Sequence, residues 1–487
     1  MFRAILTIGF IQVAVMAFNL LRAKVVAVTV GPEGVGIISV IDQIVVLVAQ
    51  VTNLSLPFVA VKLLSHAHSE SRQSFVNGYV ALLRALLVVS VVGVFSGAAL
   101  VLKWGDVLMP ELVGYAGIVM LALLGIPATN LTAFLTNAMA AAQRLRPSVA
   151  MGLMTAIALA FASGTGILLA GLAGFYLGTV LGALAVVVGG LRYLRRREGL
   201  PLYDSRVTVM TEIRRYPQVV NLAGALYILA FTSPAAYLIA RYAVLRMEGA
   251  VQAGLLQAAM GPALALATVL RSSNALFLTP AMNRLGEKGD KFRNATEFQW
   301  ALAVISGVLA LPAVLFPEWL LFLLYSSKFV GAGPYVYIFV LAEVLLLLAG
   351  VNQALVIGLD QIGAHMAVSV AGHAAIVVTS LWLVPKYGIG GVAIALLGNS
   401  LLVFILTAAW LWASHGMGIA RSMGWLPVSI LFVIGATGAG ATYFSAETFT
   451  IIVAKFGLWV VFTTVGLFAV RRAAGRPLSE FARLPRR

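Results

Sequence analysis

Long apolar runs dominate the chain and are separated by short polar segments. Each run has about 20 or more residues, the length that an α-helix needs to cross the roughly 30 Å hydrocarbon core of a bilayer. The runs predict 14 transmembrane helices, near residues 4–29, 36–61, 75–102, 113–141, 148–169, 172–193, 217–241, 250–279, 297–323, 333–358, 366–384, 389–413, 425–444 and 449–470. The pattern therefore predicts an all-α integral membrane protein without a separate soluble domain.

Composition supports this class and excludes several kinds of chemistry. Of the 487 residues, 61% are hydrophobic and 10% are charged, whereas about 25% are charged in ordinary soluble domains. The chain has no cysteine, which excludes disulfides, thiolate catalysis and cysteine-ligated metals. The histidines do not cluster as metal ligands do, and no P-loop for ATP is present. We predict no metal, no cofactor and no enzymatic activity.

The distribution of Lys and Arg predicts the orientation. With the N-terminus inside, most of the 33 Lys and Arg residues fall in cytoplasmic segments. Those in the predicted outer loops are Lys103, Arg241, Arg246, Lys328 and Lys386. By the positive-inside rule, we predict a protein of the bacterial inner membrane with both termini in the cytoplasm. Because the charge is spread over alternate loops, it does not indicate nucleic-acid binding, and we interpret Arg195–Arg197 as a topology anchor or a contact with anionic lipid.

An internal repeat is visible at a shift of 217 residues. The turn Gly171–Gly174 recurs as Gly388–Gly391, and the same shift carries Gln143 onto Asp360. A shift across six spans preserves topology, so the two halves are predicted to be related by an axis along the membrane normal. The predicted domains are an N-terminal six-helix lobe (1–215), a C-terminal six-helix lobe (216–420), and two additional helices with a basic cytoplasmic tail (421–487). This architecture is typical of transporters, with the substrate site between the halves.

Polar residues form stripes on several of the predicted spans. At 100° per residue, one face of the first span holds Asn19 and Arg22, and one face of the eighth holds Gln257 and Arg271. The candidate substrate-binding residues of a central cavity are Arg22, Arg271, Arg84, Asn19, Asn53 and Gln257. Because these arginines outnumber Asp42, the cavity is predicted to be basic and to suit an anionic or pyrophosphate group rather than an organic cation.

Other interpretations of these residues stay open at this point. The isolated Asn and Gln side chains also suit hydrogen bonds between helices. Asp42 suits either an ion pair with Arg22 or the binding of a coupling ion, and Glu343 suits either a proton site or an ion pair with another span.

Three loop motifs resemble those of a known family. They are Gly31-Pro-Glu-Gly-Val-Gly36, Leu278-Thr-Pro-Ala-Met-Asn-Arg-Leu-Gly-Glu-Lys-Gly-Asp290 and Leu324-Tyr-Ser-Ser-Lys-Phe329. In these motifs residues 1–415 resemble the polysaccharide transporters of the multidrug/oligosaccharidyl-lipid/polysaccharide (MOP) flippase superfamily, specifically Wzx-type O-antigen and enterobacterial common antigen translocases. The resemblance implies a flippase that moves undecaprenyl-pyrophosphate-linked oligosaccharide to the periplasmic leaflet by alternating access. It also implies membrane lipids, a polysaccharide polymerase and a chain-length regulator as candidate partners.

Two rival functions share the fold, and a third belongs to another class. Many Wzx proteins have twelve spans, and fourteen is the number in the related lipid II flippases, so a peptidoglycan-precursor flippase is one alternative. A drug/cation antiporter is another, although it predicts an acidic cavity. A membrane enzyme such as an O-antigen polymerase or ligase needs a sizeable outer loop, which the sequence does not contain.

Overall fold

The fold is given by a computed structural model that describes residues 2–53, 55–142, 144–204, 206–215, 217–273, 278, 288–416, 430–431, 433–435, 437, 455 and 457–464. Its helices are α1 (Phe2–Asn53), α2 (Leu56–Glu70), α3 (Arg72–Leu108), α4 (Ala116–Leu123), α5 (Ile126–Ala141), α6 (Leu145–Glu198), α7 (Val209–Arg214), α8 (Pro217–Glu248), α9 (Ala250–Ser273), α10 (Lys288–Leu315), α11 (Pro317–Leu324), α12 (Gly333–Gly358), α13 (Ile362–Tyr387) and α14 (Ile389–His415). Short 3₁₀ turns precede α4 and α12.

The all-α membrane fold is confirmed. Within the described part, 10 helices are long and apolar enough to cross a membrane. Two of them, Val13–Asn53 and Arg146–Glu198, have 41 and 53 residues and each overlaps two of the predicted spans. The first twelve predicted spans all overlap described helices, although the second, 36–61, is divided between α1 and α2, and the eighth, 250–279, extends beyond the described end of α9 at Ser273. The last two, 425–444 and 449–470, lie mostly outside the described residues, so the count of fourteen stays a prediction.

Glycines with positive φ divide the two double-length helices. Helix α1 breaks at Gly31 (φ 65°), and α6 breaks at Ala170 and Gly171, where Gly171 has φ 58°. A straight helix of 54 residues would be about 80 Å long, so α6 crosses the bilayer as a hairpin. Its two arms touch through their backbones, since a Cβ added at Gly166 would lie 2.0 Å from the carbonyl oxygen of Gly174.

Prolines explain where the observed ends differ from the predicted ones. Helix α3 ends at Leu108, just before Pro110, because a residue that precedes proline disfavours the helical conformation. Helix α10 ends at Leu315, and Pro317 begins the short α11. Four basic residues that were predicted in outer loops lie inside helices instead, namely Lys103 in α3, Arg241 and Arg246 in α8, which continues to Glu248, and Lys386 in α13. The assignment of these four residues to loops was wrong.

The chain forms two compact units, residues 7–254 and residues 255–487 together with the first six. The core of the first unit lies among α2, α3, α5 and α6, where the rings of Tyr79 and Phe134 stack at 5.6 Å between centroids. In the second unit α14 packs along both α12 and α13. The lobes 1–215 and 216–420 and the segment 421–487 remain a prediction.

The backbone repeats its left-handed glycines at the shift seen in the sequence. Gly31 and Gly249 (φ 65° and 88°) are 218 residues apart, and Gly171 and Gly388 (58° and 51°) are 217 apart. Gly199 and Gly416 (62° and 66°) are also 217 apart and end α6 and α14 respectively. Because other residues adopt this conformation only with strain, these glycines fix equivalent turns in the two parts of the chain.

Candidate functional site

Arg22 lies on the first part of α1 and binds both arms of the α6 hairpin. Its Nε donates to Ser163 Oγ at 2.9 Å on one arm, and its Nη2 donates to Thr179 Oγ1 at 3.2 Å on the other. Both hydroxyls donate their own hydrogens to backbone carbonyls, those of Leu159 and Phe175. Their lone pairs are therefore oriented toward the guanidinium, and the hairpin holds Arg22 in a defined position.

The partners that hold Arg22 are all uncharged. The third is the ring of Phe175, whose centroid lies 4.6 Å from the guanidinium carbon, a cation–π distance. Ser163 and Thr179 use two of the five N–H donors of the guanidinium. The half-buried side chain thus keeps several donors for an anion. The Asp42 carboxylate acts on its charge, but no carboxylate within the described residues forms a salt bridge with it.

Asp42 belongs to the same region but binds a different group. Its Oδ1 accepts a hydrogen bond of 3.0 Å from the hydroxyl of Tyr176, on the second arm of the hairpin. The charges of both Arg22 and Arg241 act on the Asp42 carboxylate. Arg241, which is 8% exposed, donates from Nη1 to the carbonyl of Ser39 at 3.4 Å. Asp42 therefore interacts electrostatically with both arginines, while its carboxylate accepts its hydrogen bond from Tyr176.

Arg22 is the group of this cluster that suits an anion. A guanidinium fork matches the geometry of phosphate and carboxylate oxygens, and burial strengthens the attraction because the local dielectric constant is low. The N–H donors of Arg22 that Ser163 and Thr179 do not use can therefore hold one anionic group.

Arg271 and Glu343 form a second charged site, in the other unit. Arg271 Nη2 lies 2.7 Å from Glu343 Oε2, and their side chains are 53% and 10% exposed. The structure thus provides the partner on another helix that the sequence left unassigned for Glu343. Unlike Arg22, Arg271 is already neutralised by a carboxylate.

Arg84 binds the segment that follows α6. Its Nη1 donates to the carbonyls of Asp204 and Val207 at 3.2 and 2.9 Å, and its guanidinium carbon lies 4.8 Å from the centroid of the Tyr203 ring. These contacts restrain Tyr203, Asp204 and Val207 against α3. The role of Arg84 in substrate binding stays a prediction.

The predicted polar residues have different surroundings. Asn19 is exposed and Gln257 is half-buried. Asn53 is buried, donates to Gln50 Oε1 at 3.0 Å, and accepts from the backbone N–H of Ser55 at 2.8 Å. Since both hydrogen bonds of Asn53 are local, they stabilise the end of α1. The structure brings Arg22 and Asp42 into one cluster and places Asn53 outside it.

Sequence reasoning missed five residues of the Arg22 cluster. Ser163, Phe175, Tyr176 and Thr179 lie on the α6 hairpin, and Arg241 lies near the end of α8. Serine, threonine and aromatic residues are common in membrane spans, so the sequence does not indicate that these four contact Arg22 or Asp42. Arg241 offered a signal, because the apolar run resumes directly after it at residues 242–245.

Comparison with known proteins identifies the fold. No protein-family model and no curated sequence matches the chain. A structure of the lipid II flippase MurJ in an inward closed conformation is similar, with a TM-score of 0.69 and 11% identity over 96% of this chain and 98% of MurJ. An inward-facing multidrug resistance MATE transporter of the MOP superfamily gives 0.62 and 12% over 86% and 99%. The MATE multidrug transporter DinF-BH gives 0.61 and 19% over 85% and 95%.

The chain has the same fold as these MurJ and MATE structures. Because the identities are low, they establish the fold alone. This fold accounts for the multi-pass helical architecture predicted from the sequence. The MurJ structure matches a larger share of this chain than either multidrug transporter does.

Proposed function

We propose that this protein is a flippase for undecaprenyl-pyrophosphate-linked oligosaccharide, and that it moves the headgroup from the cytoplasmic to the periplasmic leaflet through a basic cavity. The observation that supports this most directly is the setting of Arg22. Uncharged partners orient the guanidinium and leave its charge available. A drug/cation antiporter would instead need carboxylates that outnumber the arginines of its site.

The pyrophosphate is the group that Arg22 would bind. Arg–phosphate pairs are charge-assisted and frequently bidentate, and the donors not used by Ser163 and Thr179 can bind two oxygens of one phosphate. The sugars would then be recognised by uncharged polar side chains, for which Asn19, Asn53 and Gln257 remain the predicted candidates. Arg84 also remains a predicted contact with the substrate.

Movement of a negative charge outward is favoured by the membrane potential, at about 2.3 kcal/mol per charge per 100 mV. A pyrophosphate-linked substrate thus has a driving force without any coupled ion. Asp42 and Glu343 are the two carboxylates that we propose for coupling to an ion if the potential alone is insufficient. The ion dependence of leaflet exchange by the Glu343→Gln variant tests this, because the substitution removes the carboxylate charge and keeps the side-chain size.

A reconstituted system tests the proposed function. Purified protein in liposomes should exchange a fluorescent undecaprenyl-pyrophosphate oligosaccharide between leaflets, and Arg22→Ala should abolish the exchange. Arg246→Ala, at an exposed arginine that pairs with Glu111, serves as a matched control and should retain the rate. Normal exchange by Arg22→Ala would remove the site assignment, and the absence of exchange with any such lipid would remove the proposed function.

A lipid II flippase is the second candidate, since the match with the MurJ structure covers 96% of this chain and 98% of the MurJ chain. The same liposomes distinguish the two candidates. Unlabelled lipid II or an unlabelled lipid-linked O-antigen unit is added, and its competition with one labelled substrate for the protein is measured. Both share the undecaprenyl pyrophosphate, so the Arg22→Ala effect is expected with either. Competition by lipid II alone would favour the second candidate.

A further inference from the structure

The second arm of α6 presents one continuous exposed stripe that the proposed function does not use. The stripe begins with leucine and valine side chains that are 44% to 56% exposed, namely Leu177, Leu181, Leu184 and Val188. Steps of three and four residues place them on one face of the helix. Exposed aliphatic side chains on a membrane span face lipid, so this face contacts the acyl chains.

The same face ends in arginines. Arg192, Arg195 and Arg196 continue the spacing of the stripe, and all three are exposed. Arg197 is exposed as well and points away from the stripe by helical geometry. The orientation predicted from Lys and Arg places this end of α6 at the cytoplasmic leaflet. The guanidinium groups therefore lie at the depth of the lipid headgroups, directly next to the acyl-chain region.

The nearby carboxylates are already paired with other arginines. Glu198 Oε1 lies 2.9 Å from Arg144 Nε, and Glu70 Oε2 lies 2.9 Å from Arg215 Nη2. Among the salt bridges of the described residues, none involves Arg192, Arg195 or Arg196. Within the part of the chain that the structure describes, the positive charge at this end of the stripe is therefore not neutralised by a salt bridge.

An exposed position of α6 just before the arginines has no side chain. Gly189 is exposed, and a Cβ added there would meet no atom within 4 Å. Its neighbour Gly190 faces the opposite way, toward Met151 and Leu135. At 100° per residue Gly189 lies on the side of Arg192 and Arg196, so its missing side chain leaves room beside these arginines, where a glycerol backbone would lie.

The second unit contains a similar stripe without the charge, interrupted by Gly398 at the position that matches Leu181. At a shift of 217 residues, Ile394, Leu401 and Ile405 on α14 are 45%, 46% and 48% exposed, matching Leu177, Leu184 and Val188. The position that matches Arg195 is Trp412, which is 56% exposed. Positions 409 and 413 are both alanine, where α6 has Arg192 and Arg196. A lipid-facing surface thus recurs in both units, but only α6 ends it with arginines.

We propose that the basic end of α6 is a binding site for an anionic phospholipid of the cytoplasmic leaflet, with its phosphate on Arg192, Arg195 and Arg196 and its acyl chains along the Leu177–Val188 face. An anionic phospholipid fits better than the transported substrate, because the arginines lie on an exposed outer face instead of converging on one group. The proposal does not depend on which molecule is transported.

The test measures lipid retained by the full chain. Protein is purified from mixed phosphatidylglycerol and phosphatidylcholine micelles, and the bound lipids are quantified by mass spectrometry. The variant R192Q/R195Q/R196Q should reduce phosphatidylglycerol enrichment at least about fivefold, since each basic residue near an anionic surface contributes about that factor. Adding about 1 M salt should weaken enrichment on the native chain, because salt screens exposed charges.

A matched control changes basic residues at the other ends of the helices. Lys103 and Lys386 are exposed and lie near Trp104 and Trp382, so K103Q/K386Q removes similar charges from the predicted outer side. This variant should keep the enrichment. Unchanged enrichment in the triple variant, or an equal loss in the control, would overturn the proposal. Thermal unfolding of each variant confirms that all are folded, as expected for substitutions at exposed positions.

Discussion

Arg271 and Glu343 form an ion pair of 2.7 Å in which only one partner is buried. The Glu343 side chain is 10% exposed, whereas that of Arg271 is 53% exposed. A buried carboxylate without a partner is costly, and a half-exposed guanidinium without one is solvated. The stability of the Glu343 site therefore depends on Arg271, and the reverse dependence is weaker.

The first prediction follows from this asymmetry. Arg271→Ala should destabilise the protein by about 2–3 kcal/mol, below the usual range for a fully buried pair because the arginine is half exposed. The double variant R271A/E343Q should recover most of that loss, because it removes the unpaired charge. Thermal unfolding in detergent measures both variants, and a double variant as unstable as Arg271→Ala would contradict the assignment.

The second prediction concerns the way Arg22 is held. Ser163→Ala and Thr179→Val each remove one acceptor, so each should reduce leaflet exchange by about five- to tenfold, the effect of roughly 1 kcal/mol. Arg22→Lys keeps the charge and loses the bidentate geometry, and it should fall between these variants and Arg22→Ala. Exchange rates of the four variants test this order, with Thr155→Val as a control at a hydroxyl that donates to the backbone of Met151.

The third prediction concerns the backbone contact inside the α6 hairpin. Gly166→Ala would place a Cβ 2.0 Å from the carbonyl oxygen of Gly174, so the arms must separate at a cost of about 1–3 kcal/mol or more. Gly152→Ala, in the same arm, would meet nothing within 4 Å and should leave stability unchanged or slightly improved. Equal unfolding temperatures for the two variants would show that the arms do not touch.

The fourth prediction separates two roles for Arg84. Its contacts with the carbonyls of Asp204 and Val207 predict that Arg84→Gln accelerates hydrogen exchange in residues 203–207 without changing substrate binding. A role in the substrate site predicts instead a weaker affinity for the pyrophosphate headgroup. Hydrogen exchange and a binding titration on the same sample decide between these outcomes, and Arg72→Gln, which loses a bond to the Glu198 carbonyl, serves as the control.

The length of the apolar runs was sufficient to place the long helices that the structure describes, although it did not predict the short α7 or the separation of α2 from α1. A span of about 20 apolar residues has few alternatives to the α-helix in lipid. The repeated glycine motif also predicted the turn at Gly171, where φ is 58°. The end of α8 was not predictable in the same way. Arg241 looked like a loop residue because an arginine is expensive in lipid, yet the Ser39 carbonyl and the Asp42 charge stabilise it inside the protein.

The contacts of the candidate site were beyond reach of the sequence. Arg22 was found because a charge in an apolar span is conspicuous, but its partners Ser163 and Thr179 lie 141 and 157 residues away. The sequence left the partner of Glu343 unassigned, because that partner, Arg271, is on a different helix, α9. A single sequence reveals periodicity within a helix, whereas the distances between helices follow from side-chain packing.

The α6 hairpin also limits how the Arg22 site can move. Its arms meet backbone to backbone at Gly166 and Gly174, with no layer of side chains between them that could deform. Ser163 and Thr179, one on each arm, therefore keep a constant separation. In a transport cycle the two arms of the hairpin would move together as one rigid body. Arg22 would then lose its hydrogen bonds to Ser163 and Thr179 when α1 moves away from the hairpin, and not when the two arms separate from each other.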